Sequence, residues 1–220
     1  MSVAPSLIEE HLLFTQGVKF VAGVDEVGRG ALAGPVSVGV AVIDVDVAQP
    51  PAQLRDSKQM SAKARLENYL AIKQWTKSCA VGSATAAEID EIGIINALRL
   101  AWTRAYSGLA IKPNHIILDG KHNWLQGKES DLFTIGIPSI DLPVTLKIKA
   151  DESCASVAAA SVLAKVERDE YMQKLALTFP QYGWASNVGY GAAKHMTAIR
   201  EVGLTEYHRK SWSLSSSAGA

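Results

Sequence analysis

The sequence is poor in cysteine, with only Cys79 and Cys154 among its 220 residues. Neither residue belongs to a CxxC or Cys/His spacing, which excludes the common structural zinc motifs. Two cysteines this far apart are more typical of buried thiols than of a zinc site. We therefore expect free thiols in a protein of a reducing compartment.

The sequence also lacks an excess of charge of either sign, because 22 basic residues balance 22 acidic ones. Composition alone thus gives no sign of the basic surface that many nucleic-acid-binding proteins carry. The balance does not exclude such a protein, since a carboxylate cluster that holds divalent cations would offset phosphate-binding lysines and arginines. Net charge therefore leaves the class of partner open.

Long hydrophobic runs are absent. No stretch approaches the roughly 20 apolar residues of a membrane-spanning helix, and Met1 to Glu10 lacks the basic and apolar segments of a secretory signal. Hydrophobic residues still make up 48% of the chain, which at this length is enough for one sizeable core. We expect a single cytoplasmic globular protein, and a monomer.

Short apolar runs predict the strands of a sheet. Valine occupies every second position from Val36 to Val42, which is the period of a strand with one face on a core. The glycines and the proline between this run and the preceding one predict a tight connection and an antiparallel pair. The predicted strands are Phe20–Val24, Val36–Val42, Cys79–Ala84, His115–Leu118 and the alternating stretch Val144–Ile148.

Helices are predicted between and after these strands. Ser61 can cap a helix that carries Leu66 and Leu70, and Thr85 with Glu88 matches a capping box ahead of a helix. The predicted helices are a short one in the leader, one after Ser61, one after Thr85 with Leu98, Trp102 and Ala105 facing the core, one in the small-residue stretch Ala155–Val166, and one over Ala192–Val202 closed by Gly203. This order predicts an α/β fold with a mixed β-sheet flanked by helices.

Acidic residues stand where three predicted strands end. Asp25 and Glu26 follow the first strand, Asp119 ends another, and Asp151 lies just beyond the alternating stretch. Each alone is more typical of a solvated loop position. Together at one end of a sheet they would repel one another unless cations or protons neutralise them. Oxygen ligands of this kind suit Mg²⁺ or Mn²⁺, so the pattern indicates a two-metal site for phosphodiester cleavage.

The residues around these acids resemble ribonuclease HII, the type 2 ribonuclease H family. The similar stretches occur in the same order and span most of the chain. They are Gly23–Gly30 with Ala33–Val36, Leu54–Lys58, Ile117–Gly120, Lys149–Asp151 with Ala158–Val166 and Arg168–Asp169, and, more weakly, Gly189–Gly191 with His195 and His208–Trp212.

The resemblance implies a fold, an activity and a cofactor. The fold would be ribonuclease H-like, with a leader at 1–19, a catalytic domain at 20–190, a C-terminal helical segment at 191–212 that completes the substrate site, and a disordered tail at 213–220. The activity would be hydrolysis of the RNA strand of RNA/DNA hybrids and cleavage 5' of ribonucleotides embedded in DNA. Two Mg²⁺ or Mn²⁺ ions would bind the catalytic residues Asp25, Glu26, Asp119 and Asp151.

The resemblance also assigns substrate contacts. Backbone groups of Gly28, Arg29 and Gly30 would recognise the ribose 2'-hydroxyl, which separates RNA from DNA. Tyr190 would lie against the sugar of the nucleotide that follows the cut, and Lys58 would meet a backbone phosphate. Without the resemblance, the glycines are more typical of an ordinary turn, the lysine and arginine of solvated charges, and the tyrosine of a half-buried ring.

Two residues depart from the family pattern near the tyrosine. Val188 stands where a lysine is usual, and Ala192 stands where a threonine is usual. These departures weaken the expectation of phosphate contacts near the tyrosine. Glu152 after Asp151 is expected to be exposed, and His122 and Trp124 in the long segment Lys121–Pro143 to serve loop packing.

Three alternatives remain at this point. The chain could be a carboxylate-metal nuclease of the same fold that acts on DNA junctions or on hybrids generally, or a nucleic-acid-binding module without activity. A domain that binds a small phosphate ligand is disfavoured, because neither a GxGxxG nor a P-loop spacing is present.

Overall fold

The computed structural model describes residues 4–126 and 140–212. In this part of the chain, one mixed sheet has the strand order β3-β2-β1-β4-β5. The sheet is flanked by helices, which confirms the predicted fold class. Its strands are β1 (Phe20–Val27), β2 (Val36–Asp44), β3 (Ser78–Ala84), β4 (His115–Asp119) and β5 (Val144–Lys147).

The helices follow the predicted order. Ser61 caps the second helix through its side chain, and Thr85 and Glu88 form a complete capping box at the third. None of the helices in the described residues is long and apolar enough to cross a membrane. The helices are α1 (Ile8–Thr15), α2 (Ala62–Trp75), α3 (Ala86–Gly108), α4 (Ala150–Ser153), α5 (Ala155–Thr178), α6 (Trp184–Asn187) and α7 (Ala193–Val202).

Strand β2 lies at the centre of the molecule and is buried on both faces. The side chains Val36, Val38, Val40 and Val42 pack in one core cluster with residues of α3 such as Trp102. The alternate residues Ala41 and Ile43 pack in a second cluster with the small residues of α5. The prediction of one buried face was therefore incomplete, because helices cover both sides of the sheet.

Helix α5 lies unusually close to the sheet. A Cβ atom on Gly39 of β2 would stand 2.1 Å from the carbonyl oxygen of Ala160, and one on Gly23 of β1 would stand 2.1 Å from the backbone of Ser156. Glycine in the strands and alanine or serine in the helix together make this approach possible. The small residues of α5 therefore allow the predicted close packing of helix on sheet, and they place the start of α5 against β1.

Three strands of the sheet run in the same direction. Strands β1 and β4 are parallel, with Val24 paired to Leu118, and β4 and β5 are parallel, with Asp119 paired to Lys147. Strand β2 runs antiparallel to β1. Since parallel strands end at the same edge, the carboxyl ends of β1, β4 and β5 meet at one edge of the sheet.

The C-terminal segment packs against the loop between β1 and β2. The backbone N–H groups of Leu32 and Ala33 donate to the carbonyl oxygen of Gly189, and the N–H of Gly34 donates to that of Tyr207. A small apolar cluster with Tyr182 and Trp184 supports this contact. The predicted disordered tail, 213–220, lies outside the described residues, as does most of the segment that follows Trp124.

Candidate active site

The acidic residues come together at the shared strand edge. Asp25 and Asp119 follow the paired residues Val24 and Leu118 of parallel strands, so they end side by side. Asp151 lies in the short helix α4 just beyond β5. Its neighbour Ala150 donates its backbone N–H to Oδ1 of Asp119 at 2.7 Å, which ties the third carboxylate to the second.

Strand β1 extends further than the sequence predicted. It continues to Val27, so Asp25 and Glu26 lie within the strand rather than after it. Successive side chains of a strand point to opposite faces. Asp25 accordingly faces α5, where it contacts Ser161, whereas Glu26 faces Trp124 and Asp119. The two adjacent carboxylates thus approach the strand edge from different sides.

Burial and mutual repulsion oppose ionisation of these acids. Burial raises the pKa of Asp25 well above its usual range, and the nearby carboxylates of Glu26, Asp119 and Asp151 raise it further. Burial also raises the pKa of Glu26 and of Asp119. A cluster of this kind is stable in its ionised form only when positive charge lies beside it.

Two basic side chains supply part of that charge. Lys58 Nζ lies 3.0 Å from Oδ2 of Asp151, and Nη1 of Arg29 lies 3.1 Å from Oε1 of Glu26. Burial opposes the charge of the Lys58 ammonium, but the hydrogen bond to Asp151 and the charges of Asp151, Asp56 and Asp25 together outweigh burial and raise the pKa of Lys58. Lys58 is therefore paired with a carboxylate of the cluster, and the phosphate contact that the resemblance implies for it stays a prediction.

The residues at this edge suit divalent cations by their chemistry. Carboxylate oxygens are the ligands that Mg²⁺ and Mn²⁺ prefer, and a cation would relieve the repulsion that raises these pKa values. Within the described ranges, no three Asp, Glu, His or Cys side chains are arranged as a complete ligand set. The carboxylates are neighbours, and Asp25 and Glu26 point to opposite faces, so ligation by all four requires their side chains to turn toward one another.

The loop after β1 lies beside the acids. Gly28 has a φ of +80°, and its N–H donates to the hydroxyl of Tyr190 at 3.2 Å. A Cβ on Gly28 would stand 2.0 Å from Nε of Arg168, so the fold itself requires glycine there. Gly30 is exposed, and among the described residues no atom lies within 4 Å of a Cβ placed on it. The fold does not require glycine at position 30.

Several residues near the site were not predicted. Ser161 contacts Asp25 and shares a hydrogen bond of 2.8 Å with Ser57. The indole of Trp124 is buried in the core, and its N–H faces Glu26 without an acceptor at hydrogen-bond distance in the described residues. Arg168 and Arg209 are fully buried behind the loop. Ser161, Arg168 and Arg209 lie in stretches that resemble the family, but local sequence patterns do not reveal their partners, because each contact joins residues far apart in the chain.

Comparisons with known proteins identify the family of this chain. The family model described as ribonuclease HII matches residues 22–215. A ribonuclease HII of Streptomyces coelicolor is 44% identical over 205 residues, which cover 93% of this chain and 82% of the relative.

Two solved structures of similar fold belong to proteins that are named as ribonucleases. The ribonuclease H2 of Pyrococcus horikoshii OT3 has a TM-score of 0.66 at 28% identity and covers 89% of this chain and 94% of its own. Bst-RNase HIII, solved in complex with Mn²⁺, has a TM-score of 0.65 at 22% identity and covers 89% of this chain and 68% of its own. The family match and the identity over nearly the whole chain together establish that this protein belongs to the ribonuclease HII family and is an RNA-cleaving enzyme of the ribonuclease H type.

Proposed function

We propose that this protein is an endoribonuclease that hydrolyses the RNA strand of RNA/DNA hybrids and cuts 5' of ribonucleotides embedded in DNA. The observation that carries the proposal is the convergence of Asp25, Glu26, Asp119 and Asp151 beside the Gly28–Gly30 loop and Tyr190. The acidic edge of the sheet, where a phosphodiester would be cleaved, thus lies next to a loop whose backbone a sugar can approach. The products would carry 3'-hydroxyl and 5'-phosphate ends.

The four carboxylates would hold two Mg²⁺ or Mn²⁺ ions, as the Mn²⁺ complex of Bst-RNase HIII supports for a protein of this fold. Such ions, when bound, activate a water and stabilise the leaving oxygen of a phosphodiester. The protein contributes the placement of the acids: the parallel pairing of β1 and β4 fixes Asp25 beside Asp119, and the backbone bond from Ala150 fixes the turn that carries Asp151.

The loop and the tyrosine would recognise the ribose. The N–H groups of Arg29 and Gly30 have no acceptor in the described part of the chain, and both residues are exposed. A 2'-hydroxyl could accept from them, whereas deoxyribose offers no oxygen at that position. Tyr190, 38% exposed and held by Gly28, presents a flat ring to the adjoining sugar. Lys58 and Arg29 would add phosphate affinity that falls with salt.

The test is a comparison of three duplexes of one sequence: all-DNA, DNA with one ribonucleotide, and an RNA/DNA hybrid. In Mg²⁺ or Mn²⁺ we expect cleavage of the second on the 5' side of the ribonucleotide and cleavage of the RNA strand in the third. EDTA should abolish both reactions. Equal cleavage of all-DNA would favour the junction nuclease instead, and the absence of any cleavage would favour an inactive binding module.

A further inference from the structure

We propose that Arg209 orients the backbone N–H groups of Arg29 and Gly30 toward the substrate and thereby determines the preference for RNA over DNA. The inference rests on the proposed function, because it concerns how the ribose is recognised. Arg209 would act as a positioning residue: it lies behind the loop, and the substrate would contact the opposite side of the loop.

The guanidinium of Arg209 is fully buried and donates to three backbone carbonyl groups. Its Nη1 lies 2.8 Å from the oxygen of Arg29, its Nη2 lies 2.5 Å from that of Gly28, and its Nε lies 3.3 Å from that of Gly34. The ring of Trp212 covers it, with 4.9 Å from the guanidinium carbon to the ring centre. No carboxylate is among its hydrogen-bond partners in the described ranges.

These contacts fix the direction of two peptide groups. In a trans peptide the carbonyl oxygen and the following N–H point in opposite directions. Because Arg209 draws the oxygens of Gly28 and Arg29 inward, the N–H groups of Arg29 and Gly30 must point outward. The neighbouring N–H groups are used within the protein, since that of Gly28 donates to Tyr190 and that of Ala31 donates to Gly28.

A guanidinium is needed for this role. Burial, together with the nearby charge of Arg168, lowers the pKa of Arg209 to about 9, so the protein buries this charge at a cost. Only arginine presents donors in a rigid planar fork that can reach several carbonyls at once. Arg168 donates to a different set of carbonyl oxygens, those of Ala33, Pro35 and Val188. The carbonyl groups of Gly28 and Arg29 are bound by Arg209 instead.

The experiment measures selectivity, defined as the dissociation constant for an all-DNA duplex divided by that for the same duplex with one ribonucleotide. Binding is followed by fluorescence anisotropy with Mg²⁺, in an Asp25→Asn background that prevents cleavage. Arg209→Lys keeps the charge and loses the fork, and Arg209→Gln keeps a planar donor and loses the charge. We expect either variant to reduce selectivity by about fivefold or more, mainly through weaker binding of the ribonucleotide duplex.

A merely structural role predicts a different result. The matched control Ile72→Ala removes a fully buried side chain of α2 and should lower the melting temperature while selectivity stays unchanged. If neither Arg209 variant folds, Trp212→Leu removes only the covering ring and should cause a smaller fall in selectivity. Unchanged selectivity in a folded Arg209 variant, or in Trp212→Leu when it must serve, overturns the inference. Absence of selectivity in the Asp25→Asn protein with Arg209 intact would instead refute the proposed ribose recognition.

Discussion

Lys58 and the proposed metal ions compete for the same carboxylate. The Lys58 side chain is 73% exposed, and its ammonium lies 3.0 Å from Asp151. A cation that binds Asp151 must displace it. Because exposed ion pairs are worth less than about 1 kcal/mol, Lys58→Gln should tighten Mn²⁺ binding to the free protein by about two- to fivefold, measured by titration calorimetry.

Lys63→Gln is the matched control for that titration. Lys63 is an exposed lysine of α2 that pairs with Glu67 across 4.0 Å and with no other acid among residues 4–126 and 140–212, so its loss should leave the Mn²⁺ affinity unchanged. Equal or weaker Mn²⁺ binding by Lys58→Gln would mean that the ammonium does not oppose the ion.

The two glycines of the loop should respond differently to alanine. Gly30→Ala introduces a Cβ that no atom of the described part of the chain approaches within 4 Å, so the melting temperature should be nearly unchanged. Cleavage beside a ribonucleotide should fall by at least about tenfold, because the Cβ would clash with the sugar. Gly28→Ala combines a positive φ with a clash against Arg168 and should lower the melting temperature. Full activity in folded Gly30→Ala would argue against contact between this loop and the ribose.

Helix α7 begins without a side-chain cap. Its first flanking residue, Ala192, is exposed and has an extended backbone, as N-cap residues usually do. Ala192→Ser would supply the missing acceptor and should stabilise the protein by about 1 kcal/mol, or about 2–4 °C in melting temperature. Thermal unfolding measures the change. A lower melting temperature would show that the helix start is constrained in another way.

The elements were predicted to different degrees. Period-two valines and the capping box led to β2 and α3, because local patterns determine both. Helix α2 was found from its cap, but Leu66 and Leu70 are exposed and the residues it buries include Ile72 and Asn68. The break in α3 at Gly93, with a φ of 76°, was missed because glycine is tolerated inside helices at modest cost.

The pH dependence of the stability of the whole molecule should reflect a buried pair of histidines, both of which lie in the C-terminal segment. His195 Nε2 and His208 Nε2 lie 3.1 Å apart, and His208 Nδ1 accepts from the N–H of Thr205. Burial, together with the neighbouring His195, lowers the pKa of His208 to about 4. Below about pH 6.5, His208 becomes protonated in the unfolded chain but stays neutral in the folded protein. The free energy of unfolding therefore decreases as the pH is lowered from about 6.5 to about 4.

A variant isolates this contribution from that of the carboxylates, whose raised pKa values act in the opposite direction. His208→Gln can still accept and donate at this position but does not titrate. The free energy of unfolding of the unaltered protein, minus that of the variant, should fall by about 1.5 kcal/mol between pH 6.5 and pH 5 in urea titrations. A constant difference would mean that His208 takes up its proton equally in both states.

At the scale of the whole molecule, the sequence predicted the sheet and the strand ends that carry the acids, but not the buried contacts that support them. Asp119 ends its strand as expected, and the motif around Asp25 and Glu26 led to the family. The buried contacts of Arg168, Arg209 and Ser161 could not be predicted, because such pairs depend on the three-dimensional packing of distant segments. The domain boundaries, the monomeric state and the cytoplasmic location stay predictions.

The most direct test of the account is cleavage of a duplex with one ribonucleotide by Asp25→Asn, beside Asp141→Asn as a control at an exposed acid outside the cluster. Since burial penalises the charge of Asp25, the asparagine variant should fold with equal or greater stability and bind the duplex. Its cleavage rate in Mg²⁺ should fall by about a hundredfold or more, while Asp141→Asn stays active. Full activity of Asp25→Asn would contradict the central claim that the carboxylates of this strand edge perform the reaction.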